Sequence, residues 1–287
     1  MLSSTLIVGL VLGGTYALLA LGLTIQYGVA RIMNLAYGEL VIAGAFFTML
    51  MVTQAGLNPL VALILALPLG YGFSWLLYTV VLHPLARRSK SQGQLEVDSI
   101  LVTFGLLFLM QGLYQVNFGG NFQGYQWLQN PVNILGTKIA GGRVIGLVFA
   151  VLIGALLYLA MIKTRWGVNM RAVASRPQFA ALVGIDMRKE ARMAFATGGA
   201  LAAAGGAILS MYQTFTAVDG TFLTMKALVI VIMGGVGNLI GALLSGIIIG
   251  LVEAGVSVAI DPGLTLAATY AIFLVVLLWR PRGLFST

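Results

Sequence analysis

Long apolar runs alternate along this chain with short clusters of Gly, Pro, Asn and charge, and that rhythm predicts one helix after another. Reading runs and breakers places helices at 4–28, 39–54, 59–82, 99–117, 143–162, 191–213, 226–235, 239–258 and 264–280. Most of these runs approach the ~20 residues that carry a helix across a bilayer core. They are too long and too uniform for barrel strands, and open strands are excluded because backbone groups in lipid must pair within their own segment. The pattern predicts an all-α, polytopic transmembrane helix bundle of roughly eight or nine spans, organised as a single domain over 1–287.

One stretch departs from the rhythm. KTRWGVNMRAVASRPQFAALVGIDMRKEAR, residues 163–192, holds seven of the sixteen Lys and Arg residues. Pro177 suits a first helical position and Ser175 suits a cap. A short helix is therefore predicted from Pro177 to Leu182, stopping at Gly184. Phe179 and Leu182 or Val183 fall three to four residues apart and make an apolar face, flanked by Arg171 and Arg176. A helix with an aromatic knob fits a groove of a soluble partner. A basic amphipathic helix also suits a lipid surface.

Composition sharpens the class. The chain is 60% hydrophobic and 8% charged, against about a quarter charged for soluble domains, so lipid must be its solvent. The absence of cysteine excludes disulfides and thiolate metal sites. No Lys or Arg precedes Arg31, whereas a signal peptide wants a basic start, so the first helix is expected to be retained. The net charge of +8 is assigned to loop orientation and not to nucleic acid.

Orientation follows from the basic residues. If the loop 163–190 is cytoplasmic, parity puts the N-terminus outside and the loops at 29–38 and 83–98 inside, with Arg31, Arg87, Arg88 and Lys90. The tail, with Arg280 and Arg282, is also inside. Of the sixteen basic residues only Lys138, Arg143 and Lys226 then lie outside, a strong positive-inside bias. The same parity requires 226–258 to split at Gly234-Gly235-Val236-Gly237-Asn238. The first piece is then about ten residues, roughly 15 Å of helix, too short to span alone. Its turn must be buried in protein or line water. A single long tilted helix is the alternative. Gly9/Gly13, Gly198/Gly199 and Gly205/Gly206 suit close helix contacts.

Catalytic chemistry finds little footing. The lone His83, in LHPLARR, reads as interfacial. The carboxylates Glu39, Glu96, Asp98, Asp186, Glu190, Asp219, Glu253 and Asp261 fall mostly in loops or at helix ends, and none pair at a metal-ligand spacing within a helix. Neither a catalytic nor a metal role is expected. Glu253 is the one candidate for an ionisable group within a span. Its cost of about 2.5–3.5 kcal/mol mid-membrane means it must face the bundle or a cavity, or sit near the outer helix end within reach of water. Uncharged polar residues suggest a weakly polar route: Thr24 and Gln26 in the first helix with Tyr16 a little earlier, Thr103, Gln111 and Gln115 in the fourth, and Asn238 after the glycine break. Gln111 and Gln115 share a face as an i,i+4 pair. Each of these also suits a bond to a neighbouring helix. With Asn34, Tyr37, Gly234, Gly235, Gly237 and Glu253 they make up the expected translocation path.

At these residues the sequence resembles the branched-chain amino acid type of ABC transporter permease. ALGLTIQYGVARIMNLAYGEL, RAVASRPQFAALVGID, AFATGGALAAAGGAILS and MGGVGNLIGALLSGIIIGLVE follow in the family's order and span most of the chain. One departure stands out: where the pattern has Asn-Phe-Ala-His-Gly, this chain has Asn34-Leu35-Ala36-Tyr37-Gly38, an aromatic in place of a titratable ring. The resemblance implies the pore subunit of an inner-membrane importer. It implies a second, related permease subunit, two cytoplasmic ATP-binding subunits and an extracytoplasmic solute-binding protein as partners. Arg171, Ser175, Arg176, Pro177, Phe179, Ala180, Leu182, Gly184 and Ile185 would form the coupling helix that the ATPases move. ATP and Mg would belong to those partners, since this chain has no GxxxxGK[ST] phosphate loop and no bound cofactor is expected. The cargo implied is Leu, Ile, Val or another small neutral or amphipathic solute, with urea, amides and aromatic acids carried by related systems. An ion-coupled carrier built on Glu253 is the alternative.

Overall fold

The computed structural model describes residues 2–89, 91–128, 130–134, 137–281 and 283–285. Lys90 and Arg282, counted above as inside charges, lie outside the described residues. The helices are α1 (Leu2–Ala30), α2 (Tyr37–Thr53), α3 (Pro59–Leu77), α4 (His83–Arg88), α5 (Gln92–Phe118), α6 (Gly141–Lys163), α7 (Arg165–Ser175), α8 (Pro177–Leu182), α9 (Met187–Ser210), α10 (Asp219–Gly234), α11 (Leu239–Ala259) and α12 (Thr265–Trp279). A π-helical turn, Tyr78–Leu82, joins α3 to α4. Among the described residues seven helical stretches are long and apolar enough to cross a bilayer, and α2 is a shorter apolar helix. This is the all-α polytopic bundle the sequence predicts, with one addition. A small antiparallel hairpin, β1 (Pro131–Ile134) and β2 (Thr137–Ala140), sits in the connection between α5 and α6, with Val132 opposite Ile139.

Burial ranks the helices. In α9 the apolar window is 89% buried and in α12 only 11%, so α9 is the axis of the packing and α12 its rim. The glycine pairs of α9 explain how it sits so deep. An added Cβ at Gly198 or Gly205 would strike α1, at Gln26 and Leu19, whereas at Gly199 or Gly206 it would strike α3 or α2, at Ser74 and Val41. Each pair thus faces two neighbours at once, and the backbones approach as small residues permit. The α1–α11 seam works the same way: a Cβ at Gly13 would lie 2.8 Å from Ile247 Cα, and one at Gly246 2.6 Å from Ala17 Cα.

Several boundaries differ from the sequence reading. α5 starts at Gln92, seven residues before 99, because Ser91 Oγ accepts from Gln94 N (3.2 Å) and caps it. α9 starts at Met187, capped by Asp186, whose Oδ1 accepts from Arg188 N (2.9 Å) and Lys189 N (3.2 Å). The split of 226–258 is present, but α10 has 16 residues and not about ten, or about 24 Å at 1.5 Å per residue. It begins at Asp219 and places Lys226 two turns inside a helix.

Candidate functional site

The basic stretch folds as two helices against the end of the bundle. Thr164 Oγ1 accepts from Gly167 N (3.2 Å) and starts α7. Pro177 then opens α8 without needing an N–H, and Gly184 at φ 80° closes it. Ile185 N donates to Ala180 O (3.2 Å) across that turn. Phe179, Leu182 and Val183 are 58%, 80% and 75% exposed, the apolar face the spacing predicts, and the Arg176 guanidinium lies 5.8 Å from the Phe179 ring centre. Ala180 points the other way and is buried with Met170 and Val173 in a cluster shared with α9. Ile185 packs at the edge of that cluster. Ser175 is not the cap: its Oγ donates back to Arg171 O (2.8 Å), and the cap position falls on Arg176, with no side-chain bond. The hydroxyl bonds its own preceding turn because α7 is continuous to Ser175.

Two ties hold this platform. Asn169 Nδ2 donates to Glu190 Oε1 (3.2 Å), joining α7 to the start of α9. Arg31, in the left-handed region at φ 54°, ends α1 and donates from its guanidinium to Ala174 O (3.0 Å). α7 is thus tied to both α1 and α9.

The same end of the bundle carries the glycine break. Gly235 and Gly237 have φ 94° and 83°, conformations that side-chain-bearing residues rarely adopt. Asn238 Oδ1 caps α11 through Gly241 N (3.1 Å), and its Nδ2 donates to Phe285 O (2.7 Å). Gly234 is packed against Gly241 and Ala242 backbone. A cavity of about 510 Å³ lies between this turn and α7, and Arg171, Gly235, Gly237 and Asn238 all line it. Four residues expected in two separate roles thus share one space.

Gln26, Asn34, Tyr37 and Thr103 form a different unit. The connection 31–36 between α1 and α2 is not helical yet is largely buried, with Ile32, Asn34 and Ala36 sealed from solvent. Its polar groups need partners; Asn34 and Thr103 supply them, while Gln26 and Tyr37 tie the neighbourhood to α9 and α1. Gln26 Nε2 donates to Phe195 O (2.9 Å) and Asn34 Nδ2 to Gln26 Oε1 (3.1 Å). Asn34 Oδ1 accepts from Ala36 N (3.1 Å), and Thr103 Oγ1 accepts from Leu35 N (3.1 Å). The Tyr37 hydroxyl donates to Leu19 O (2.8 Å). None of the four lines a cavity described here. Gln111 is half-buried and Gln115 exposed on α5, so the face they share looks away from buried Thr103.

Glu253 belongs to a buried ionic cluster. Lys226 Nζ lies 2.8 Å from Glu253 Oε1, the two side chains being 15% and 5% exposed. Tyr16 Oη donates to Glu253 Oε2 (2.7 Å), Lys226 Nζ donates to Tyr16 Oη (3.0 Å), and Thr269 Oγ1 donates to Glu253 Oε1 (3.0 Å). Four helices, α1, α10, α11 and α12, meet there. Of the two places open to Glu253, the structure has the one facing the bundle, and Lys226, expected as the first residue of a helix at 226–235, lies inside α10, which starts early enough to bring the lysine to the carboxylate. Tyr16, read from the sequence as part of a polar route, is instead a partner of Glu253 and Lys226; sequence reasoning missed Thr269, and pairing the two charges of adjacent apolar segments was the available signal. Near the other end of α9, Tyr125 Oη lies 3.2 Å from Ser210 Oγ, and burial raises its phenol pKa, so it stays neutral. Among the described residues no cluster of His, Cys, Asp and Glu is placed to hold a metal.

Comparison with known proteins agrees with this architecture. The chain is 28% identical to the high-affinity branched-chain amino acid transport system permease protein LivH of Salmonella typhimurium, over 96% of this chain and 92% of that one. It is 26% identical to LivH of Escherichia coli over the same shares. It is 27% identical to the permease protein BraD of Pseudomonas aeruginosa, over 97% of this chain and 94% of that one. The family described as the permease component of the branched-chain amino acid transport system matches residues 5–279, and the chain belongs to that family.

Proposed function

We propose that this chain is the membrane-spanning permease subunit of an ATP-driven importer of small amphipathic solutes, branched-chain amino acids first among them. The observation that carries the reading is the α7–α8 platform. It presents Phe179, Leu182 and Val183 to the outside of the fold while Ala180, Arg31 and Asn169 fix it to α9 and α1. A short helix with two or three unsatisfied apolar anchors and a basic surround is chemistry for a protein groove. The partners are two cytoplasmic ATP-binding subunits gripping α8, a second permease subunit related to this one, and an extracytoplasmic solute-binding protein. ATP and Mg act in those partners. The chain sits in the inner membrane, with α7, α8 and the C-terminus cytoplasmic and the N-terminus outside.

On this reading the residues Arg171 to Ile185 transmit ATPase closure into α1 and α9. The cavity at the Gly234–Asn238 turn, which also touches Arg171, is the inner end of the route. Glu253 is held by three groups, Lys226, Tyr16 and Thr269, as a structural cluster, which argues against ion coupling. The test is reconstitution with the ATPases and binding protein encoded beside the chain. Uptake of labelled leucine into proteoliposomes that requires ATP supports the reading. Equal uptake without ATP, or failure of the chain to co-purify with any ATPase, overturns it.

A further inference from the structure

We infer that the cavity between the glycine break and α7 seats the phosphate of an anionic phospholipid, drawn from the leaflet that borders α7. The cavity measures about 510 Å³, within the roughly 300–1,000 Å³ of small-ligand pockets. α1 forms its back with Thr24 and Gly28, while α6 and the start of α11 form its sides. Those sides turn outward. Tyr158 and Ile162 on α6 are 38% and 43% exposed, and Val236 and Ile240 on the other side are 48% and 52% exposed. On a spanning bundle, apolar groups exposed in this way meet acyl chains, so the mouth opens to the bilayer. α6 ends at Lys163, and Tyr158 stands about 7.5 Å before that end at 1.5 Å per residue. Tyr is enriched at this depth, where the head groups lie.

The polar groups of the cavity divide into engaged and unengaged. Thr24 Oγ1 donates to Ala20 O (2.7 Å), and Asn238 uses both ends of its amide on Gly241 N and Phe285 O. Arg171 makes one bond, from Nε to Gly167 O (3.4 Å). Among the described residues its terminal nitrogens and the Tyr158 hydroxyl have no hydrogen-bond or ion-pair partner. Two unengaged donors, from α6 and α7, thus line one space. A guanidinium fork matches phosphate oxygens bidentately, and a phenol adds a third donor. Arg171 is the one charged residue among the described lining residues. No carboxylate competes with a phosphate there, and none holds the ammonium of a zwitterionic head group, so phosphatidylglycerol is preferred to phosphatidylcholine. Exposed Lys163 and Arg165, at the junction of α6 and α7, add attraction for anionic lipid. The exposed apolar sides, which a free phosphate would leave unused, favour the lipid over the inorganic ion.

The lipid site stands apart from the importer reading; where that reading holds, a seated head group covers the inner end of the route until cargo displaces it. The test is native mass spectrometry of the full chain released from nanodiscs of equimolar phosphatidylglycerol and phosphatidylcholine, for the native chain, R171Q, R171K, Y158F and R176Q. A lost charge-assisted hydrogen bond corresponds to about tenfold or more in affinity. The native chain is expected to retain one phosphatidylglycerol in preference to phosphatidylcholine. R171Q is expected to weaken that lipid about tenfold or more and Y158F by less, while R171K, which keeps the charge without the fork, falls between R171Q and the native chain. R176Q removes the same charge close by without lining the cavity and is expected to change nothing. Equal retention of the two lipids by the native chain, retention unchanged in R171Q, or R176Q weakening the lipid as much as R171Q overturns the site. Displacement of the lipid by millimolar inorganic phosphate assigns the cavity to the free ion and overturns the lipid as well. All of these readouts use the chain alone, so their failure leaves ATP-dependent uptake by the assembled transporter as the separate test of the importer reading.

Discussion

Replacing Phe179 and Leu182 together by Asp probes the α8 platform most sharply. In the free chain the two residues are 58% and 80% exposed. Full burial of such a side chain is worth about 1.5–3 kcal/mol. Scaled by the exposed fractions, a docked ATPase gains roughly 2–4 kcal/mol from the pair, or about 30- to 1,000-fold in affinity. The carboxylates reverse that gain and add a desolvation cost. The fold itself should lose less than about 0.5 kcal/mol, since surface changes away from special contacts are usually small. The assay measures three quantities on F179D/L182D: thermal stability in detergent, ATPase subunits retained in a pull-down, and ATP-dependent uptake. The expected outcome is native-like melting, ATPase binding weakened at least 30-fold, and uptake lost. Normal uptake by a normally folded double variant refutes the docking role of α8. A180D is the contrasting control. Its side chain enters the cluster with Met170 and Val173, so it should destabilise the fold.

Three further outcomes follow from the packing. E253A should cost about 3–5 kcal/mol, because it strands the Lys226 ammonium among Tyr16 and Thr269; a double apolar replacement, K226M/E253L, should recover most of it. Thermal melts of the three proteins check this, and a native-like E253A contradicts it. G237A, at φ 83°, should cost about 1–2 kcal/mol for a left-handed conformation, whereas G255A, inside α11 with open space around its Cβ, should be neutral or gain up to ~1 kcal/mol. Y37F removes only the bond to Leu19 O and should cost about 0.5–1.5 kcal/mol, or more if the carbonyl is left wholly unpaired; a melt that shifts no further than G255A's would show that this hydroxyl holds nothing.

Much of the fold was legible because lipid imposes length and apolarity on a helix, and Gly, Pro and Asn mark where one must stop. Pro177, Gly184, Gly235, Gly237 and Asn238 each end or begin an element where their chemistry says they should. What was not legible arose where polarity and helicity coexist. Residues 92–98, with Glu96 and Asp98, look like loop, yet Ser91 caps them into α5. Residues 219–225 look like a connection, and missing them misplaced Lys226. The polar residues of α1 and α5 posed a harder problem. Gln26, Asn34 and Thr103 have the side chains a solute path would use, but Asn34 and Thr103 serve the backbone of a buried non-helical turn and Gln26 ties Asn34 to α9. Sequence spacing carries no trace of that turn being buried. The exposed anchors of α8 were readable because an apolar face among basic residues has few structural uses.

The chain has no native cysteine, so L182C gives a single reporter at the tip of α8. Its reaction with a membrane-impermeant maleimide, in intact cells and in inverted vesicles, with and without the ATPase subunits, reports both the side of the membrane on which α8 lies and whether a partner covers it. A cytoplasmic α8 gripped by the ATPases gives no labelling in intact cells, labelling in inverted vesicles, and protection when the ATPases are bound. Labelling from the external medium, or reactivity that the ATPases leave unchanged, would contradict it.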